Sequence, residues 1–473
     1  MKPMARFCTL LFSVLAAVSL GCDETQQPTG PLAPLSLKKE AQGGNPDCQL
    51  SKHGRGNRKG PVDFLCAIEI PGNPLTSSQK TWVEQSNALY FVSDASNNGV
   101  DVIDVKTHTY VGRIAPMAGN VGTGGGTATT NGAGPNAFVS APAHGGHGHA
   151  DDDDHGHHGL GGPRVLFVSD GNATVHVVDM DRLQIITSIS VAKSDCDGGT
   201  ATTKFCGRSN EIDYDPVHHV VAVSNPNPLS YVRCTAPGAN CTNNAGVTAA
   251  GAALQGYLTF ISARYPYNVL GHLTFGAGTV EGHVWVPTLN RFLLPMQGAP
   301  GGPFIEIINV RTRTTEPHRV YDCVAITGAA SLGNNNLRVA GNNLWAQMCG
   351  RPIRLDATTG AVLNVVTQVG TGDEDWFNPG DGTFLVTGAD AVTGVSSLGI
   401  MNAFTGEWLQ NVPNIAGASP SAYAKTNEIF TRVLFAAATD ASNRCVVKGR
   451  GCVVVFAHTG KADKDEPDAD DDD

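Results

Sequence analysis

Charge is scarce in this chain: 16% of its 473 residues are Asp, Glu, Lys or Arg, and only 7% are aromatic. With 56 glycines and 27 prolines, the composition reads as many short strands joined by turns. Beyond the first 21 residues no stretch is apolar for long enough to cross a bilayer, which excludes a membrane-spanning helix there. CxxCH is absent, which excludes covalently attached haem, and CxxC is absent, which removes a zinc ribbon or a redox pair. GxSxG, HExxH, an EF-hand loop and a Walker A sequence are also missing. Serine-hydrolase, zincin and nucleotide-binding readings therefore have no motif to rest on. The formal charge of −11 makes a nucleic-acid partner a poor fit.

What is present is a repeat. Asn210 to Asn225, NEIDYDPVHHVVAVSN, reads as a strand, a tight turn at Asp215-Pro216, and a second strand rich in valine. Variants recur at Trp82–Asp94, His283–Met296 and Trp376–Asp390, each with an aromatic before the turn and an apolar strand after it. Most are followed by a third and a fourth strand. Counting in fours gives blades beginning near Ser78, Asn136, Asn210, Glu281, Leu337 and Asp373. The last blade offers three strands, Ala422–Lys425, Val433–Ala438 and Cys452–Ala457, and the spare strand in Pro61–Gly72 supplies the fourth. The expected fold is all-β: a seven-bladed β-propeller whose ring is closed by an N-terminal strand in the last blade, leaving no long unpaired edge. The segment YFVSDASNNGVDVIDVKT, Tyr90 to Thr107, resembles the YVTN-type propeller repeat, which implies this fold and says little about function.

The propeller is expected to span 61–458, after a signal peptide at 1–21 and a flexible tether at 22–60, and before a disordered acidic tail at 459–473. The signal has a basic start (Lys2, Arg6) and an apolar core from Phe7 to Leu20. Ser19-Leu20-Gly21-Cys22 resembles the bacterial lipoprotein processing site, which implies that Cys22 is lipidated and that the protein sits in the cell envelope or periplasm, meeting the membrane only through that anchor. Ten further cysteines fall in close sequential pairs, Cys48/Cys66, Cys196/Cys206, Cys234/Cys241, Cys323/Cys349 and Cys445/Cys452, as expected of loop-stapling disulfides in an oxidising compartment.

First strands line a propeller's central channel, so their starts converge at one mouth. Counting back from the turns places Ser78, Gly134, Asn210, Glu281, Asn335, Asp373 and Ser419 there, with Glu211, His283, Glu374 and Asp375 beside them. Converging carboxylates raise each other's pKa or share a cation. An ion held by Glu281, Asn210 and Asp373 or Asp375 would be Ca²⁺, Mg²⁺ or Mn²⁺, and participation of His283 would tilt the site toward Zn²⁺. The segment EGHVWVPTLNRFLLP, Glu281 to Pro295, resembles the opening of the senescence marker protein and gluconolactonase family. In that family a glutamate at the place of Glu281 binds the catalytic divalent metal, which implies a metal-dependent lactonase-like hydrolase. The other reading is that these polar residues cap loops and line a solvated channel.

A low-complexity insert at 143–160 carries His144, His147, His149, His155, His157 and His158 among aspartates, a composition suited to weak binding of transition metals. It joins the first and second strands of its blade and so belongs to the face opposite the acidic mouth. The leading functional expectation is a monomeric binding protein that offers a propeller face to a protein or small ligand, with the lactonase-like hydrolase as the alternative.

Overall fold

The computed structural model describes residues 48, 61–117, 134–143, 164–192 except 172, 205–206, 209–226, 232–233, 242–243, 256–275, 280–296, 303–328, 336–434 except 371, 373, 414 and 416–418, and 444–458 except 448. All of these belong to one unit, Ser36–Asp473.

The first strand, β1 (Val62–Glu69), precedes blade one, which is β2 (Thr81–Glu84), β3 (Leu89–Asp94), β4 (Gly99–Asp104) and β5 (Thr109–Ile114). Blade two is β6 (Pro135–Pro142), β7 (Arg164–Asp170), β8 (Thr174–Asp179) and β9 (Gln184–Ser190). Next come β10 (Phe205–Cys206), β11 (Ile212–Asp215), β12 (Val220–Asn225), β13 (Val232–Arg233), β14 (Thr242–Asn243), β15 (Tyr257–Ser262) and β16 (Val269–Thr274). Of these, β11, β12, β15 and β16 make blade three, while β10, β13 and β14 pair separately as a small sheet.

Blade four is β17 (Val284–Val286), β18 (Arg291–Met296), β19 (Phe304–Asn309) and β20 (Thr314–Val320), followed by the short helix α1 (Cys323–Thr327). Blade five is β21 (Leu337–Ala340), β22 (Asn343–Met348), β23 (Arg351–Asp356) and β24 (Val362–Val365). Blade six is β25 (Asp375–Asn378), β26 (Thr383–Ala389), β27 (Ser396–Asn402) and β28 (Trp408–Pro413). The last sheet joins β29 (Pro420–Tyr423), β30 (Glu428–Val433) and β31 (Cys452–His458) to the first strand of the chain, in the order β1–β31–β30–β29.

Seven four-stranded antiparallel sheets with their first strands in mutual contact make a seven-bladed β-propeller arrangement. The core is divided to match. Seven apolar clusters each lie between two neighbouring sheets, from blades one and two (Phe91, Phe138, Leu166) round to blades seven and one (Phe430, Val455, Tyr90, Val92). The second strands are buried on both faces, as the run Leu89–Asp94 shows, because each is sandwiched between adjacent blades.

Two strands of the last blade begin earlier than expected. The second strand of blade seven is Glu428–Val433, not Val433–Ala438, and its first is Pro420–Tyr423, not Ala422–Lys425. The apolar run Val433 to Ala438 looks more strand-like than EIFTRV, but the two charges in EIFTRV are buried with partners. Glu428 Oε2 lies 3.2 Å from His108 Nε2, and Arg432 donates to the Gln79 carbonyl. A charge with a partner can occupy a buried strand that composition alone would disallow.

Antiparallel order sends the chain's connections to two faces. First-to-second and third-to-fourth connections lie on one, second-to-third connections and those between blades on the other. The first face consists mainly of tight turns, as between Glu84 and Leu89, Asp104 and Thr109, and Val286 and Arg291, with 143–163 as the long exception. The strand ends that flank the long connections, Ile114 and Pro135, Ser190 and Ile212, Asn225 and Tyr257, Val320 and Leu337, and Val433 and Cys452, belong to the second face.

Candidate functional site

The mouth of the channel is built from the residue just before each first strand. In blades one, three, five and six the same backbone pattern identifies it. The carbonyls of Lys80, Glu211, Asn336 and Glu374 accept from the N–H of Ser93, Ser224, Gln347 and Thr387 at 3.1, 2.8, 2.9 and 3.1 Å. Counting from the turns therefore ran early, by two residues in blade one (Ser78 for Lys80) and by one in blades three, five and six. The aromatic from which the count starts is second in its strand in blade one (Trp82) and third in blades three and six (Tyr214, Phe377), which is why a fixed count drifts.

With the register corrected, a cation appears among the carboxylates. Lys80 Nζ lies 2.8 Å from Glu211 Oε2 and 2.9 Å from Glu374 Oε2, and 3.5 Å from Asn336 Oδ1, so one ammonium joins blade one to blades three, five and six. Lys80, Glu211 and Glu374 are 5%, 8% and 4% exposed. Burial alone would depress the lysine pKa, but attraction to Glu211 and then Glu374 outweighs both it and repulsion from Arg338. The ammonium is held well above its ordinary value and stays charged.

Next to this pair of ion bridges, Arg338 Nε stands 3.3 Å from Asp375 Oδ1 and donates to the Asp375 carbonyl at 3.2 Å. Asp213 lies below, two residues along β11 from Glu211, and accepts the Trp285 N–H through Oδ2 at 2.6 Å. Burial raises its pKa, against the pull of that hydrogen bond and of His283. Trp82 and Trp376 meet edge to face in the same region, with centroids 5.1 Å apart.

The expected site residues are placed as follows. Asn210 is buried at 4% exposure, its Oδ1 accepting from Asn136 Nδ2 and its N–H donating to the Ser224 carbonyl at 2.8 Å. His283 is buried at 2% exposure, with Nε2 3.0 Å from the Ala222 carbonyl; burial lowers its pKa and keeps the ring neutral, so Nε2–H is the donor. Glu281 is half-buried just before β17, with its carbonyl 3.4 Å from His283 Nδ1. Asp375 faces Arg338. Asp373 lies outside the described residues, as do Cys22, the histidines at 144–158, Cys196, Cys234 and Cys241; Cys206 falls in β10, but its side chain is not described. Among the described residues no three His, Cys, Asp or Glu side chains gather as they would around a metal ion.

Disulfides join Cys48 to Cys66, Cys323 to Cys349 and Cys445 to Cys452. The first ties the segment before β1 to that strand, and the second ties α1 to the end of blade five's second strand.

Lys80 was not among the residues singled out from sequence. Its signal was available: a lone lysine directly before Thr81-Trp82, in a strand start otherwise made of polar and apolar residues, is an odd choice for a position that burial reaches.

No family model matches the chain. No curated protein matches it either. Among solved structures, the crystal structure of Chaetomium thermophilum Raptor is similar with a TM-score of 0.49 and 10% identity, over 86% of this chain and 30% of that one. The chain thus spans about 30% of that protein's length. The propeller assignment rests on the strand order described above.

Proposed function

We propose that this chain is an exported binding protein, held at a membrane by a lipid on Cys22, which meets a protein or small ligand through the propeller face that carries the long connections. The observation behind this is the contrast between channel and face. Lys80, Glu211, Asn336 and Glu374 hold one another and are nearly closed to solvent, so these four polar groups are engaged within the molecule. The long connections, in contrast, gather on one side, and connections positioned by a rigid scaffold are where recognition usually sits. Three disulfides suit an oxidising compartment and so support export.

In this reading the ring is closed by β1. Its antiparallel pairing with β31, from Val62 opposite His458 to Glu69 opposite Cys452, and the contact between β29 and β2 support that closure.

Photo-crosslinking amino acids test the choice of face. Val392 (93% exposed) and Val446 (72%) lie in second-to-third connections, whereas Val217 (60%) and Phe404 (49%) lie in turns of the opposite face. Placed one at a time and irradiated in cells, crosslinkers at the first two positions should give discrete adducts and those at the other two should not. Adducts confined to Val217 and Phe404 would reverse the assignment. For the anchor, Cys22→Ser should abolish labelling by radioactive palmitate and release the protein from membranes.

A further inference from the structure

A second polar constellation lies in blade two, away from the channel. His176, in the middle of β8, stands directly opposite Ser188 on β9, and its Nδ1 is 2.8 Å from Ser188 Oγ. Its Nε2 is 2.9 Å from Asp170 Oδ2, and Asp170 Oδ1 accepts the Gly171 N–H at 2.7 Å, which fixes the carboxylate. Asp170 is fully buried and His176 is 5% exposed, while Ser188 is exposed on the outer strand. With Nε2–H donated to the carboxylate, Nδ1 is left as the acceptor for the serine proton. This is the arrangement that activates a hydroxyl: nucleophile, base within hydrogen-bond reach, and a third group orienting the base.

The corresponding positions of the neighbouring blades show how unusual the composition is. Blade one has Asp94, Asp101 and Arg113, with Arg113 Nε 2.8 Å from Asp101 Oδ1. Blade three has Asn225, Thr259 and His272, with Thr259 Oγ1 2.9 Å from Asn225 Oδ1 and 3.0 Å from His272 Nδ1. All three clasp the second, third and fourth strands together. Only in blade two, among these three, is the outermost member a hydroxyl with an imidazole behind it.

We propose that Ser188 is an activated nucleophile, a covalent modification site that takes acyl or phosphoryl groups from activated donors. In the step, an Oγ–acyl or Oγ–phosphoryl bond forms as the bond to the leaving group breaks. The leaving group departs with its electron pair, and the hydroxyl proton passes to His176 Nδ1. Asp170 stabilises the imidazolium across Nε2.

A fluorophosphonate is the probe, with fluoride as the leaving group, and the readout is peptide mapping of the intact protein over time. Ser190 is the internal standard: it is exposed two residues further along β9 and stands opposite Thr174, not an imidazole. The expected result is phosphonylation of Ser188 about 100-fold or more faster than Ser190, the scale of general-base assistance, with His176→Gln removing the difference. Equal rates at the two serines, or an undiminished Ser188 rate in a folded His176→Gln protein, would overturn the proposal. If His176→Gln does not fold, the comparison of Ser188 with Ser190 in the unaltered protein decides the matter alone.

Discussion

Lys80 carries two ion bridges at once, so its removal takes the ammonium from between two buried carboxylates and leaves them Arg338 as a positive neighbour. Lys80→Met should cost about 3–5 kcal/mol at neutral pH, the range for breaking a buried pair from one side. Denaturant melts of the parent and the variant side by side measure this. Adding Glu211→Gln and Glu374→Gln should recover much of the loss. A second residue-scale test concerns Asp101, fully buried beside Asp94. Burial first and then the Asp94 charge push its pKa up to about 8, against the pull of Arg113. A raised carboxylate contributes most below its unfolded value near 4 and loses that contribution as pH approaches 8. Asp101→Asn should therefore match the parent at pH 4 and melt higher than it at pH 8. The carboxylates at the mouth were legible in the sequence, because polar residues recur before the first strands. Their cation was not, because a fixed count back from Trp82, which stands one place earlier in its strand than Tyr214 does, missed Lys80 by two positions.

The strands themselves were the most legible elements, since valine-rich second strands such as Val220–Asn225 are marked by both composition and burial on two faces. Their turns were harder to read. Many close on a residue in the left-handed region just before the next strand, and Ala88, Leu183 and Arg313 occupy it at φ of 54°, 52° and 54°, where glycine or asparagine is the usual sign. Blade seven was misplaced for a related reason, as Glu428 and Arg432 disguise a buried strand. The composite last sheet makes a prediction at this scale. Deleting residues 61–72 removes the partner of β31 along its whole length and one half of the Cys48–Cys66 bridge, so the melting temperature or soluble yield should drop sharply. Deleting 22–43 should change neither, and equal effects would count against closure by β1. Replacing Cys323 and Cys349 by alanine frees a 26-residue separation and should cost up to about 2–4 kcal/mol in denaturant melts.

At the scale of the whole molecule, a ring of seven blades joins seven inter-blade cores to one polar axis, and its two faces differ in the length of their connections. Lys80, with Arg338 beside it, offsets the carboxylates of that axis from within, and the proposed binding function is placed on a face. Calorimetric titration of Ca²⁺, Mg²⁺, Mn²⁺ and Zn²⁺ into chelator-treated protein lacking residues 144–158 shows whether the axis also takes a metal ion. No stoichiometric binding is expected of this protein, and a new divalent site is expected once Lys80→Met takes the ammonium from between Glu211 and Glu374. One equivalent of metal bound with Lys80 in place, and lost on Glu281→Gln, would contradict it and return the channel mouth to the metal-dependent hydrolase.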